Sequence, residues 1–207
     1  MNVLVKICGI KNLVDAEIAI QNGADYIGLN FVPASKRRIS FGKAKNIIEN
    51  IKRSTVQIVG VFQNQPAAKV NRISHELQLD YVQLHGSESP QYCQKISTKI
   101  IKVFPLESDF DPDEVLLSIQ NYQVDYFLLD RGKQGEGPVL QRSLLKKIVE
   151  KYPIFIAGGL NTQNISETVR VVGPFAVDVS GGVERDGKID FKKVRLFIKS
   201  AKSINHY

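Results

Sequence analysis

Cysteine is scarce: Cys8 and Cys93 are the only two in 207 residues. That is too few for a disulfide framework, and their separation is not that of a metal site, so both are expected as free thiols in a reducing compartment. His75 and His85 form no ligand pair with them, and no metal is expected. No stretch approaches the roughly 20 apolar residues that a membrane span needs, so no membrane partner is expected. The opening MNVLVKICG lacks the basic start, apolar core and cleavage site of a secretory signal, and the expected location is the cytoplasm. A nucleotide-binding fingerprint is also absent. The formal charge of +7 is spread over predicted helices. Nucleic-acid binding would gather it into one stripe with interleaved aromatics. A dispersed positive field instead attracts anionic metabolites.

What is present is an ordinary globular composition, 43% hydrophobic and 24% charged, with no linker and enough length for one core. Residues 1–207 are therefore expected to form one domain. Short β-rich runs alternate with stretches of helical period, eight of each. The strands fall at Val3–Cys8, Tyr26–Phe31, Val56–Phe62, Tyr81–His85, Ile100–Phe104, Tyr126–Asp130, Ile154–Ala157 and Phe175–Val179. Helices are expected over Leu13–Asn22, Lys43–Arg53, Ala67–Leu77, Pro90–Ser97, Pro112–Asn121, Arg142–Lys151, Thr162–Val171 and Phe191–Ser203. Asn12, Asp111, Asn161 and Asp190 are placed to cap helix starts, and Gly23 to end the first helix. Count and spacing favour a closed (β/α)8 TIM barrel over a doubly wound open sheet, which periodicity alone does not exclude.

Strand parity separates the helix-facing side chains from those inside the barrel. Lys6 and Cys8 fall inside on the first strand, Tyr81, Gln83 and His85 on the fourth, Tyr126, Leu128 and Asp130 on the sixth, Asp178 and Ser180 on the eighth. An interior this ionisable costs free energy unless its groups pair or work. Barrel chemistry sits at the C-terminal ends of strands, where Cys8 and Asp130 both lie. Each has a plain alternative: an inert buried thiol, and a helix cap or turn residue. A thiol acting as a base near neutrality needs a nearby positive charge, and Lys6 on the same face is the local candidate, whether or not it also pairs with Asp178. His85 is read either as a rim residue of the site or as a packed, hydrogen-bonded core group.

Two glycine-rich turns, Ala157-Gly158-Gly159-Leu160 and Ser180-Gly181-Gly182-Val183, follow the last two strands. Barrels bind phosphate there through backbone N–H groups that glycine lets a ligand approach. In the loop after the second strand, Ser35-Lys36-Arg37-Arg38 is either a solvated charge run or a guanidinium grip for a carboxylate.

Across nearly the whole chain these segments resemble the phosphoribosylanthranilate isomerase family. The likeness is carried by KICGI (6–10), PASKRRIS (33–40), VGVF (59–62), VQLHG (82–86), LLD (128–130), AGGLN (157–161) and PFAVDVSGGVE (174–184). The resemblance implies an Amadori rearrangement of a small phosphoribosyl substrate, N-(5′-phosphoribosyl)anthranilate, in tryptophan biosynthesis, with no metal and no organic cofactor. Asp130 would be the general acid, Cys8 the general base, Arg37 the carboxylate ligand, and Gly158, Gly159, Ser180, Gly181 and Gly182 the phosphate site.

Departures from the family pattern are local. The family commonly follows the acid with threonine or serine and a loop like GGTGKxFDW; here residues 131–142 read RGKQGEGPVLQR. The slot of the loop lysine holds Pro138, and Arg131 or Lys133 is expected to replace it. The family's frequent SSG is Ser180-Gly181-Gly182, and Asn30 stands at an inward position often apolar elsewhere. The altered loop keeps two rivals open: an isomerase for another phosphorylated aminosugar, and a barrel that binds a phosphorylated ligand without catalysis. Monomer is the expected state.

Overall fold

The computed structural model describes residues 3–51, 56–107, 109–131 and 141–204. Eight parallel strands close in chain order into a barrel: β1 (Leu4–Cys8), β2 (Tyr26–Asn30), β3 (Gln57–Phe62), β4 (Tyr81–Leu84), β5 (Lys99–Leu106), β6 (Tyr126–Arg131), β7 (Ile154–Ile156) and β8 (Ala176–Val179). The helices that follow them are α1 (Leu13–Gln21), α2 (Phe41–Asn50), α3 (Ala67–Glu76), α4 (Pro90–Cys93), α5 (Pro112–Ile119), α6 (Arg142–Val149), α7 (Ile165–Val172) and α8 (Phe191–Lys202). β8 pairs with β1, Lys6 beside Asp178, which closes the barrel and rules out the open sheet. No helix among the described residues is long and apolar enough to cross a membrane.

Local chemistry sets the element boundaries. Asn12, Asp111 and Asp190 cap α1, α5 and α8 as expected, each accepting a backbone N–H from the first turn. α2 starts earlier than its apolar period suggests because the Ser40 hydroxyl accepts from Lys43 N; its expected end, 52–53, lies outside the described residues. α7 starts later: Asn161 spends its side-chain oxygen on the N–H groups of Gln163 and Asn164, a turn that holds the chain out of the helix until Ile165. α4 is a single turn, since Asn71 takes the N–H of Ser97 and β5 begins at Lys99. Gly23 follows α1 with φ +89°, a conformation that side chains resist.

An Asp-Tyr pair opens each of β2, β4 and β6, a repeat that parity alone does not reveal. In each pair the carboxylate accepts the N–H of the preceding strand: Asp25 from Val5, Asp80 from Ile58 and Asp125 from Ile100, at 2.7–2.8 Å. The tyrosine turns inward. Tyr26 meets Tyr81 at 6.0 Å between centroids, Tyr81 meets Tyr126 at 5.8 Å, and Phe155 of β7 packs against both Tyr26 and Tyr126. These rings, with Val59, Ile101 and Leu128, fill the barrel interior. The opposite parity, such as Val5, Ile7, Ile27 and Ile58, packs under the helices.

Phe155 is fully buried at the centre of this ring cluster. Phe155→Ala is expected to cost about 3–5 kcal/mol through lost contacts and the cavity left behind. Urea unfolding would show it as a lowered midpoint at an unchanged slope.

Candidate active site

At the C-terminal end of the strands the aromatic filling gives way to polar groups around a cavity of about 820 Å³. Cys8, Arg37, His85, Asp130, Asp178 and both glycine turns line it together, so the sequence-predicted site residues converge. Lys6 lies beneath them and is fully buried, its ammonium donating to Asp178 Oδ1 at 2.9 Å and also reaching the Cys8 thiol. Burial pushes that ammonium toward neutrality. Asp178 and Cys8 together outweigh burial and hold its pKa above the ordinary value.

The neighbouring strand makes room for this arrangement. A Cβ on Gly28 of β2 would sit 2.7 Å from Cys8 Sγ, closer than real Cβ contacts come, and 3.1 Å from Lys6 Nζ. Glycine there lets thiol and ammonium meet. For Cys8 itself burial dominates, raising the thiol above its ordinary 9.0 even though Lys6 pulls the other way.

Asp130 Oδ2 lies 3.4 Å from His85 Nε2, and His85 Nδ1 lies 3.3 Å from the amide nitrogen of Gln83. The Nε2 edge of the ring thus faces the carboxylate and the Nδ1 edge faces the Gln83 amide. His85 therefore lies on the cavity rim beside Asp130. Gln83 is a member of the chain that parity placed inside without giving it a task; its buried carbonyl oxygen has no hydrogen-bond partner among the described residues.

The loop carrying His85 is fixed from outside the cavity. Lys102 and Glu88, both nearly fully buried, pair at 3.0 Å. Lys102 also donates to the carbonyls of Leu84 and Gly86, and Glu88 accepts from the N–H groups of Asn64 and Gly86. Burial alone would raise the Glu88 carboxyl, but those donors hold it below its ordinary value. Neither residue carries a motif signal, because Lys102 lies on a helix-facing parity.

Arg37 crosses over Gly9, where φ is +89° and a Cβ would come within 2.5 Å of the Arg37 side chain. Its Nε and one terminal nitrogen bond both oxygens of Glu184 at 2.6 and 2.8 Å. One edge of the guanidinium fork is therefore already engaged, a detail the charge run does not disclose. Glu184 itself is held by Lys193, which donates to its carbonyl. Asn30 spends its side-chain oxygen on Val32 N, turning the chain into the loop that carries Arg37.

The two glycine turns interlock: a Cβ on Gly182 would collide with the Leu160 carbonyl. Gly158 and Gly159 have φ +85° and +77°, and Asn164 Nδ2 fixes the Gly159 carbonyl at 3.0 Å. Of loop 131–142, residues 132–140, including Lys133, Gly135, Gly137 and Pro138, lie outside the described residues.

A family model described as N-(5′-phosphoribosyl)anthranilate (PRA) isomerase matches residues 5–200. The chain is 40% identical to the N-(5′-phosphoribosyl)anthranilate isomerase of Geobacter metallireducens, over 97% of this chain and 100% of that one. Its fold is similar to the crystal structure of phosphoribosyl anthranilate isomerase from Thermotoga maritima, with TM-score 0.89 and 38% identity over 98% of this chain and 100% of the other. A phosphoribosyl anthranilate isomerase solved with reduced 1-(o-carboxyphenylamino)-1-deoxyribulose 5-phosphate superposes with TM-score 0.86 at 37% identity, over 98% and 100% of the two chains.

Two measurements test this geometry. Because burial raises the Cys8 thiol, the thiolate fraction at neutral pH is below that of an ordinary cysteine. Iodoacetamide labelling of Cys8, read by peptide mass spectrometry, is expected to keep accelerating with pH beyond 9.0; a plateau by neutrality would contradict it. Glu184→Gln loosens Arg37 and is expected to raise KM about 10-fold while kcat changes far less, on the scale of one charge-assisted bond. Equal KM values would show that Arg37 needs no such support.

Proposed function

The chain belongs to the N-(5′-phosphoribosyl)anthranilate isomerase family, and on that premise we propose that Cys8 is its general base and Asp130 its general acid. The reaction is the isomerisation of N-(5′-phosphoribosyl)anthranilate in tryptophan biosynthesis. In this reading Asp130 gives its proton to the furanose ring oxygen, and the C1′–O bond breaks to leave a C1′ iminium on the anthranilate nitrogen. The Cys8 thiolate then removes the proton from C2′, forming an enolamine. Loss of the C2′ hydroxyl proton and protonation of C1′ give the ketone. C2′ is oxidised as C1′ is reduced, so atoms and electrons balance within the substrate.

The observation that carries the reading is the Lys6 ammonium, fully buried and held against both Asp178 and the Cys8 thiol. A charge there offsets part of the cost that burial puts on the thiolate required for proton removal, although burial still holds the resting group above its ordinary value. The order of events helps further, since ring opening creates a cation next to the carbon that Cys8 must deprotonate. His85, with Nε2 3.4 Å from Asp130 Oδ2, orients the carboxyl.

Arg37 receives the anthranilate carboxylate on the terminal edge that Glu184 does not occupy. The phosphate takes the backbone N–H groups of Gly158-Gly159 and Ser180-Gly181-Gly182, at the place where barrels bind phosphate. The whole chain acts as one barrel domain, as a cytoplasmic monomer on this small molecule, with no cofactor, metal, nucleic-acid or membrane partner.

Cys8→Ser and Asp130→Asn are each expected to lower kcat at least ~100-fold on freshly made N-(5′-phosphoribosyl)anthranilate, the usual scale for losing a positioned acid or base. Wild-type kcat in either variant overturns the assignment of that residue.

A further inference from the structure

The two glycine turns offer a phosphate only neutral donors, and a phosphate monoester brings close to two negative charges. Three cationic side chains that line or underlie the cavity have other placements. Lys6 is buried against Asp178, Arg37 is bound edge-on by Glu184, and Lys36 stands exposed on the loop after β2. Arg131 differs in where it lies. It ends β6 directly after Asp130, lines the same cavity, and lays its guanidinium over the second glycine of the first turn.

The approach is face-on. A Cβ on Gly159 would meet Arg131 Nη2, Cζ and Nη1 at 2.8, 3.0 and 3.3 Å, a spread of half an ångström across the plane of the group. Gly158 is matched to the same residue, since a Cβ there would run into the Arg131 backbone nitrogen. Both glycines hold positive φ, so the turn is shaped around Arg131 as well as around whatever it binds. A guanidinium presents several N–H groups in one plane, and from this position they complement the backbone donors of the turn.

We propose that Arg131 is a phosphate ligand of this enzyme, supplying at the strand end a positive charge that the backbone donors of the turns do not. The proposal rests on the assignment of the glycine turns to phosphate made above. Binding by Arg131 places a cation one residue from the general acid, so phosphate capture and the placement of Asp130 are joined through a single strand end.

The test uses inorganic phosphate as the probe, by calorimetric titration and as a competitive inhibitor, on wild type, Arg131→Gln, Arg131→Lys and Gly182→Ala. Circular dichroism and thermal melts establish that each variant is folded. Arg131→Gln is expected to weaken phosphate about 10- to 100-fold and to raise KM in parallel, with Arg131→Lys recovering part of both. A folded Arg131→Gln that binds phosphate as wild type does, or that loses kcat alone, overturns the role of Arg131. Should wild type fail to bind phosphate, or Gly182→Ala bind it unchanged, the assignment of the turns falls and takes this proposal with it. Cys8 and Asp130 would be untouched by that result.

Discussion

A charged ammonium with no water around it must be paired, and Lys6 is such a group. It sits at the seam where the first and last strands meet, and its partner Asp178 lies directly beside it in the register of β1 and β8. Breaking a buried pair of this kind costs about 3–5 kcal/mol, because the remaining charge has nowhere to go. Barrel closure and the electrostatics of the reaction therefore share one contact. Around it the chain gives way: β2 carries glycine at position 28, where any side chain would separate the ammonium from the thiol.

The rim above this pair is built by groups held from outside the cavity. Lys102 and Glu88 pin the loop that follows His85, Glu184 and Lys193 fix Arg37, and Asn164 secures the first glycine turn. Such supports do no chemistry themselves. They remove the reorganisation that would otherwise be needed as charge develops on the substrate, which is how preorganised sites lower barriers. A cavity lined by mobile arginines would have to order them in every turnover.

What could be read from the sequence follows from how local each signal is. Strand parity put Lys6, Cys8, Gln83, His85, Asp130 and Asp178 inside the barrel, because alternation is a property of one strand alone. Helix starts at Asn12, Asp111 and Asp190 were equally legible, since the cap and the N–H it serves lie within three residues. The Arg37–Glu184 fork joins residues 147 apart, and neither position announces the other. Lys102 was hidden for a different reason: on the helix-facing parity it lies outside the barrel interior where site residues are sought, and Glu88 with the carbonyls of Leu84 and Gly86 accounts for its burial. Gly28 gave no turn signal because its purpose is empty space beside another strand.

The three aspartates that precede β2, β4 and β6 bear on the order in which this barrel can assemble. Each ties its strand to the one before it across only 20, 22 or 25 residues. Loops of that size close at small entropic cost, so neighbouring strands can be stitched together while the remainder of the chain is still unfolded. The Lys6–Asp178 contact spans 172 residues and waits for the last strand. The buried ion pair beneath the cavity thus forms only with closure of the ring.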